Sequence, residues 1–322
     1  MFKRFVMLTL LVLLPVIAQA QPRIPRVGFL VPEMGRSESE SIKGIRDELK
    51  QIGYQERKTV LLETRNAKGD RAALQPAAME LVNEKVDVIV ATGTRATQVA
   101  KSTARDVPIV FVHPADPVSL GLVKSTANPG AHLTGVAGFA LQMTEKRLAI
   151  SKEIIPGLQR IYIFYDPNDK FSRENFLFAE AAALKSGLQV VEHGVKSSGE
   201  LKVTFGGLQI SKGDALFHVP DNLVESDADF IFDTAREKKL PTMFNEEAWA
   251  IRGAMAAWGP SYYEMGRQAG RLVDMIIKGK QPQTIPIQRA TKFDLTLNYR
   301  TATFIGVTFS RELLKRADKV IR

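Results

Sequence analysis

The chain has 322 residues, of which 45% are hydrophobic and 25% are charged, and its formal net charge is +9. This composition is typical of a globular protein, and the length suits one large or two medium α/β domains. The chain has no cysteine, which excludes disulfides, a lipid-bearing cysteine and thiol chemistry. Its lysines and arginines are spread along predicted helices, so we interpret the positive charge as a solvated surface, with no nucleic-acid partner.

Residues 1–20 have the pattern of a secretory signal peptide. Lys3 and Arg4 precede an apolar run at 5–17, and Ala-Gln-Ala at 18–20 has small residues at the two positions that a signal peptidase reads. A membrane-spanning helix needs about 20 apolar residues, so this run is too short to span a bilayer. We expect cleavage after the tripeptide and a soluble periplasmic protein without a lipid anchor. The alternative is an uncleaved amphipathic anchor.

From residue 26 onward, strands and helices alternate. Runs typical of strands occur at residues 26–31, 59–64, 87–91 and 108–112. Ser37 and Glu40 predict a capping box for the first helix, and Asp70 is placed to cap the second. Buried strands joined by helices are typical of a parallel sheet with helices on both faces. The loop after the first strand contributes two candidate ligand-binding residues, Glu33 and Met34.

Two loops that follow strands of this first sheet have ligand-binding character. One is Thr92-Gly93-Thr94, and the other is His113-Pro114-Ala115-Asp116. Ligands of open α/β sheets bind at the carboxyl ends of strands, and a glycine followed by a helix start offers backbone N–H groups to an anion. The alternative for the first loop is an ordinary turn with Thr94 as the helix N-cap. For His113 the alternative is a loop histidine without a ligand role.

After Gly138 the pattern begins again and predicts a second α/β unit. Its strand-like runs are at 160–165, 215–219 and 240–244, and a helix near residue 180 places Phe176, Ala179, Ala183 and Leu184 inward. The strand ends supply further candidates, namely Tyr165, Asp166, Asp221, Asn222, Asn245 and Glu246. For Asp166 and Asp221 the alternative is that they cap the helices that follow them. For Tyr165 the alternative is packing in the core, and for Glu246 it is a solvated position in the first turn of a helix. The sequence therefore predicts two doubly wound lobes with a ligand cleft between them.

The motifs of common enzymes are missing from the sequence. None of the four histidines accompanies a G-x-S-x-G or H-E-x-x-H pattern, and no cluster has metal-ligand spacing. A G-x-G-x-x-G motif does not follow the first strand, which argues against a dinucleotide cofactor. We expect a protein that is not an enzyme and that holds no cofactor and no metal.

Several segments along the chain carry a family resemblance. They are V-D-V-I-V-A-T-G-T at 86–94, P-I-V-F-V at 108–112, N-P-G-A-H-L-T-G-V at 128–136, Y-D-P-N at 165–168, G-P-S-Y-Y-E-M-G-R-Q-A-G-R-L-V at 259–273 and T-K-F-D-L-T-L-N at 291–298. In this order they resemble the exported substrate-binding proteins of ABC transporters with the type 1 periplasmic binding protein fold. This group includes tryptophan- and tyrosine-binding members.

The resemblance implies three crossings between the lobes, which we place near Gly138, Trp258 and Lys292. The first lobe would then comprise residues 26–138 and 259–291, and the second 139–258 and 292–322. The family is expected to capture a solute by hinge closure and to deliver it to an ABC permease in the inner membrane. A sensor that presents the solute to a receptor is the alternative.

We expect a monomer whose ligand is an amino acid or another aromatic or carboxylate-bearing solute. First-lobe hydroxyl and N–H groups would hold a carboxylate. Second-lobe acids, namely Asp166, Asp221 or Glu246, would hold an amine where the ligand has one.

Overall fold

The computed structural model of the chain describes residues 23–113, 116–130, 132–138 and 140–322. The predicted signal peptide and the candidates Pro114 and Ala115 lie outside these ranges. Within them, helices that combine the length and the apolar character needed to span a membrane are not found.

The first part of the chain alternates strands with helices, as predicted. Its elements are β1 (Arg26–Val31), α1 (Arg36–Gln51), β2 (Leu61–Asn66), α2 (Leu74–Asn83), β3 (Val88–Thr92), α3 (Gly93–Thr103), β4 (Ile109–His113) and β5 (Leu133–Ala137). All of β3 and β5 is buried, as is β1 apart from its first residue, and such strands read in the sequence as uninterrupted apolar runs.

A second series of elements follows and ends with a group of shorter ones. They are α4 (Ala140–Ile154), β6 (Arg160–Tyr165), α5 (Lys170–Lys185), β7 (Gln189–Gly194), α6 (Ser198–Gly206), β8 (Asp214–Phe217), α7 (Asn222–Ser226), α8 (Ala228–Glu237), β9 (Thr242–Phe244), α9 (Glu247–Arg252), β10 (Ala256–Pro260), α10 (Tyr262–Ile277), β11 (Gln288–Arg289), β12 (Phe293–Asn298), α11 (Tyr299–Ile305), α12 (Arg311–Arg316) and β13 (Lys319–Ile321).

The strands form two sheets. One has the order β11-β5-β4-β3-β1-β2 and the other β13-β12-β10-β9-β8-β6-β7. Their pairs are parallel apart from β10 with β12, which is antiparallel. Each sheet has buried apolar clusters on both faces, so each is doubly wound. The predicted fold class is therefore confirmed. We call the six-stranded sheet with α1–α3 and α10 the first lobe, and the seven-stranded sheet with the remaining helices the second lobe.

The chain passes from one sheet to the other three times, after β5, after β10 and after β11. The second passage sends α10 back to the first lobe, where it packs along α1. Gly44 and Gly266 allow this approach, because a Cβ at either position would collide with backbone of the other helix. At the same contact the buried Glu48 receives hydrogen bonds from Arg267 at 2.8 Å and Arg271 at 2.9 Å.

Several local predictions were wrong. The first helix begins at Arg36 after Gly35, with no side-chain cap, so Ser37 and its partner three residues later do not form a capping box. Asp70 instead accepts a hydrogen bond from the Ala72 N–H, and α2 begins only at residue 74. Leu184 is 58% exposed. Its neighbour Ala183 faces the core, and adjacent residues of a helix point in different directions.

Candidate functional site

The Thr92-Gly93-Thr94 loop joins β3 to α3 at the carboxyl end of the first sheet. The helix begins at Gly93, whose φ of +78° suits glycine, so the N-cap position is Thr92 rather than Thr94. The alternative of a Thr94 cap is therefore wrong. Thr92 is buried, and its hydroxyl lies 3.5 Å from the Leu30 carbonyl oxygen. The Thr94 side chain is half-buried and makes no hydrogen bond to another described residue, which leaves its hydroxyl uncommitted.

The Asp221 side chain connects two loops of the second lobe. It is 3% exposed, and its two carboxylate oxygens accept hydrogen bonds from the Val224 N–H at 2.8 Å and the Asp166 N–H at 2.6 Å. It therefore caps α7, as its alternative reading predicted. The carboxylate of Asp166 accepts the N–H of Asn168, while α5 is capped by a different residue, Asp169.

The other candidates have varied surroundings. Tyr165 is buried in the core, where its ring stacks on Phe176 at 4.4 Å and its hydroxyl donates to Glu192 at 2.6 Å. Burial raises the pKa of this tyrosine to about 12. The exposed candidates are Glu33, Met34 and Asn222. Asp116 is half-buried and accepts the N–H of Val118, and the backbone of His113 ends β4.

Side chains from both lobes come together in a cluster of Glu38, Glu225, Glu246 and Tyr262, which we call the acidic recess. Glu38 comes from the first turn of α1 and Tyr262 from the start of α10, both in the first lobe. Glu225 lies on α7, and Glu246 follows β9 in the second lobe. The Tyr262 side chain of the first lobe faces the Glu246 carboxyl of the second lobe closely enough to affect its pKa.

The acids of the recess are hard to ionise. Burial, and then the nearby charge of Glu246, raise the pKa of Glu225 to about 8. Burial and the charge of Glu38 raise the pKa of Glu246 to about 7, although the nearby Tyr262 hydroxyl opposes the shift. The pKa of Glu38 itself is raised by burial. Near neutral pH the recess therefore holds protons that ordinary surface carboxylates would have lost.

Behind the recess lies His218, whose side chain is fully buried. Its Nδ1 is 3.0 Å from the Asn245 Oδ1, an acceptor, so that nitrogen carries the ring proton. Burial, assisted by the charge of Arg147, lowers the pKa of His218 to about 3, so the imidazole is neutral. Its Nε2 points at the Glu225 carboxylate across 3.7 Å and has no hydrogen-bond partner among the described residues.

Arg147, on α4, holds the strand end that carries His218. Its guanidinium is fully buried, donates to the His218 carbonyl oxygen at 2.7 Å and lies over the Phe217 ring at 4.6 Å. Burial lowers the pKa of this arginine to about 9. This arginine therefore fixes the backbone at the end of β8, from which the histidine side chain extends toward the recess.

A separate cavity of about 290 Å³ lies where the chain crosses between the lobes. Here Arg36 of the first lobe forms an ion pair with Glu247 of the second at 2.8 Å, and Lys319 contacts the same carboxylate. The cavity also contains the buried Thr296 hydroxyl, which lacks a hydrogen-bond partner in the described structure. None of the sequence-predicted candidates lines this cavity, and Tyr262 belongs both to its lining and to the acidic recess.

Of the predicted candidates, the structure brings Glu246 into the recess and places Asn245 directly behind it. Sequence reasoning missed the remaining members, namely Glu38, Glu225, Tyr262 and His218. One usable signal was the spacing of Glu225, which lies one helical turn after a strand-end aspartate. Another was the first tyrosine of the G-P-S-Y-Y segment, which directly follows a strand of the second sheet.

Comparisons with known proteins agree with this architecture. A family model described as ABC transporter substrate binding protein matches residues 26–321. A tyrosine-binding protein of Clostridioides difficile strain R20291 is 28% identical over 84% of this chain and 76% of its own length.

Two solved structures are similar over most of the chain. The structure of an ABC domain from Streptococcus pneumoniae in complex with L-Trp has 26% identity and a TM-score of 0.79, covering 92% of this chain and 99% of its own. A conserved domain protein from Vibrio cholerae has 28% identity and the same TM-score, covering 92% and 100%. This similarity extends through both lobes of the chain.

Proposed function

The chain belongs to the ABC transporter substrate-binding protein family, and we propose that it is an exported, periplasmic member that captures a small solute between its lobes for an ABC importer. The observation that carries this proposal is the meeting of side chains from both lobes, with an ion pair between Arg36 and Glu247 at 2.8 Å and with Tyr262 facing the Glu246 carboxyl. Family members are binding proteins rather than enzymes. The expected partners are the solute and the permease, with the protein itself a monomer.

The solute is an amino acid or another aromatic or carboxylate-bearing molecule. The ligands named for the similar proteins, tyrosine and L-Trp, support this choice. So does the start of α3, where backbone N–H groups and the uncommitted Thr94 hydroxyl can donate to a carboxylate near the positive end of the helix dipole. Gly93 brings the backbone close to the ligand because no side chain intervenes.

Capture takes place by hinge closure. The three connections after Gly138, Trp258 and about Lys292 act as the hinge. The moving bodies are the two lobes, which follow the predicted ranges 26–138 with 259–291 and 139–258 with 292–322, except that Gly259 and Pro260 pair with β12 and move with the second lobe. The Arg36–Glu247 ion pair supports this mechanism, because lobe opening would separate its two side chains. Small-angle scattering should give a smaller radius of gyration once solute is bound.

A thermal-shift screen of the purified mature protein tests the proposal. The screen should include the common amino acids, aromatic acids without an amine, and sugars. A solute present at 100 times its dissociation constant stabilises the folded protein by about 2.7 kcal/mol, which shifts the melting temperature measurably. At least one amino acid or aromatic acid should do so. If sugars alone stabilise, the ligand class is wrong, and if no solute stabilises, the capture function is wrong.

A further inference from the structure

The three carboxyl groups of the acidic recess have no basic partner in the described structure. Among the described residues, no lysine or arginine forms an ion pair with Glu38, Glu225 or Glu246, and none lowers the pKa of these residues. An ionised group taken out of water without a partner costs several kcal/mol, so proteins rarely retain it without a function. The recess therefore contains carboxyl groups whose ionised form is not stabilised by a positive charge among the described residues.

The same molecule shows how a buried glutamate is stabilised when its role is structural. Glu48 is 4% exposed, and two arginines of α10 donate to its two oxygens. These hydrogen bonds and charges outweigh burial, so the pKa of Glu48 is lowered. Glu225 and Glu246 have the opposite shift, because they lack such partners. The comparison indicates that their positive partner comes from outside the chain.

A second observation points to the same kind of partner. The neutral His218 directs an unpartnered, fully buried Nε2 toward Glu225. Its other ring nitrogen is already bonded to Asn245, so Nε2 can only accept a hydrogen bond. A neutral acceptor beside the Glu225 carboxyl is suited to a group with several N–H donors. An ammonium has three donors and no acceptor.

We propose that the acidic recess binds the protonated amine of the captured solute, held by the carboxylates of Glu225 and Glu246 and by the Nε2 of His218. The inference rests on the proposed function and deepens it, because it restricts the ligand to solutes that carry an amine. It also differs from the sequence-based expectation for the amine. Asp221 has both oxygens occupied by backbone N–H groups, and Asp166 accepts one from its own loop.

Binding of the amine displaces protons from the recess. In the empty protein the recess carboxyls retain protons near neutral pH, whereas the ammonium requires them ionised. The charged and titratable groups around them are Glu33 and Glu38 from α1 and its loop, Asp221 from α7, Tyr262 from α10, Arg147 from α4 and His218 itself. The exchange releases about one proton per bound amine near pH 7, and affinity rises with pH between about 6 and 8.

Isothermal titration with L-tyrosine, tyramine and desaminotyrosine tests the inference. These probes share a phenol, but tyramine lacks the carboxylate and desaminotyrosine lacks the amine. Titration at pH 7 in two buffers of different ionisation enthalpy counts the protons released. We expect L-tyrosine to bind with release of about one proton, tyramine to bind more weakly with the same release, and desaminotyrosine to bind at least about 10-fold more weakly than L-tyrosine.

Glu225→Gln removes the charge while keeping the size of the side chain, and the exposed Glu237→Gln is the matched control. The first variant should bind L-tyrosine about 10- to 150-fold more weakly and release fewer protons, while the control should match the parent. If desaminotyrosine binds as tightly as L-tyrosine, if binding releases no proton, or if amine-free solutes alone bind, the inference is wrong and capture stands. If no solute of the thermal-shift screen binds, the proposed function itself is wrong.

Discussion

Removing the carboxylate of Glu225 should stabilise the ligand-free protein at alkaline pH. The pKa of this residue is about 8 in the folded protein, against an ordinary value of 4.5. The folded state therefore binds the proton more tightly than the unfolded chain, and unfolding releases it. Stability falls as pH rises from about 4.5 to about 8 and is constant above that.

The pKa difference corresponds to about 5 kcal/mol if the recess stays closed throughout. That value is an upper bound, because the side chain is 28% exposed and both lobes form the recess. Opening of the lobes would expose the Glu225 carboxylate to water again and reduce the cost of ionising it. We therefore expect Glu225→Gln to raise the free energy of unfolding by about 1–3 kcal/mol at pH 8 and by much less at pH 5. The glutamine keeps an N–H donor near the Nε2 of His218 without adding a charge.

Urea denaturation at pH 5, 6, 7 and 8 measures this effect, with Glu237→Gln as the exposed control. The parent and the control should lose stability in parallel as pH rises, while the Glu225→Gln curve should be flatter. If this variant is no more stable than the parent at pH 8, the carboxyl of Glu225 ionises freely in the folded protein, and its burial in the recess has no energetic consequence.

Three further predictions concern the contacts between helices, between lobes and with the ligand. Gly266→Ala places a Cβ against the Ser41 carbonyl oxygen, so it should cost at least about 2 kcal/mol of unfolding free energy in urea denaturation; an unchanged value would contradict the close helix contact. Arg36→Ala removes the ion pair with Glu247, so it should increase the radius of gyration of the empty protein in small-angle scattering while changing stability by less than about 1 kcal/mol; an unchanged radius would mean that the pair does not favour closure. Thr94→Ala should weaken L-tyrosine binding in titration calorimetry about 10- to 150-fold with little change in stability, whereas intact affinity would leave the loop as a turn without a ligand role.

The sequence predicted the strands well where burial is complete on both faces. The first strand of each lobe has the predicted bounds, Arg26–Val31 and Arg160–Tyr165. A parallel strand covered by helices on both sides must be apolar along its length, and that requirement is visible without any knowledge of the fold. The inner face of α10 was predictable for a similar reason, because its period of 3.6 residues places every core residue on one side.

Helix starts were predicted less well, because short polar side chains have several local partners. Asp70 is a residue type that commonly caps helices. Its carboxylate nevertheless accepts the N–H of the residue two positions later, and the helix begins beyond it. Asp221 is the same residue type and does cap its helix. Its second carboxylate oxygen also accepts a hydrogen bond from the N–H of Asp166 in a distant loop. The choice between these arrangements depends on where the neighbouring strand end lies, which the local sequence does not specify.

The acidic recess could not be predicted for a reason that goes beyond local ambiguity. Glu48 and Glu225 each stand next to a buried apolar residue of their helix, Leu49 and Val224 respectively. Glu48 is stabilised because Arg267 and Arg271 reach it from a helix that is more than two hundred residues away in sequence. Glu225 has no such partner among the described residues, and a neutral histidine nitrogen faces it instead. The two glutamates therefore differ only in what the tertiary structure brings to them, and an uncompensated carboxylate in a cleft between lobes indicates a ligand that supplies the missing positive charge.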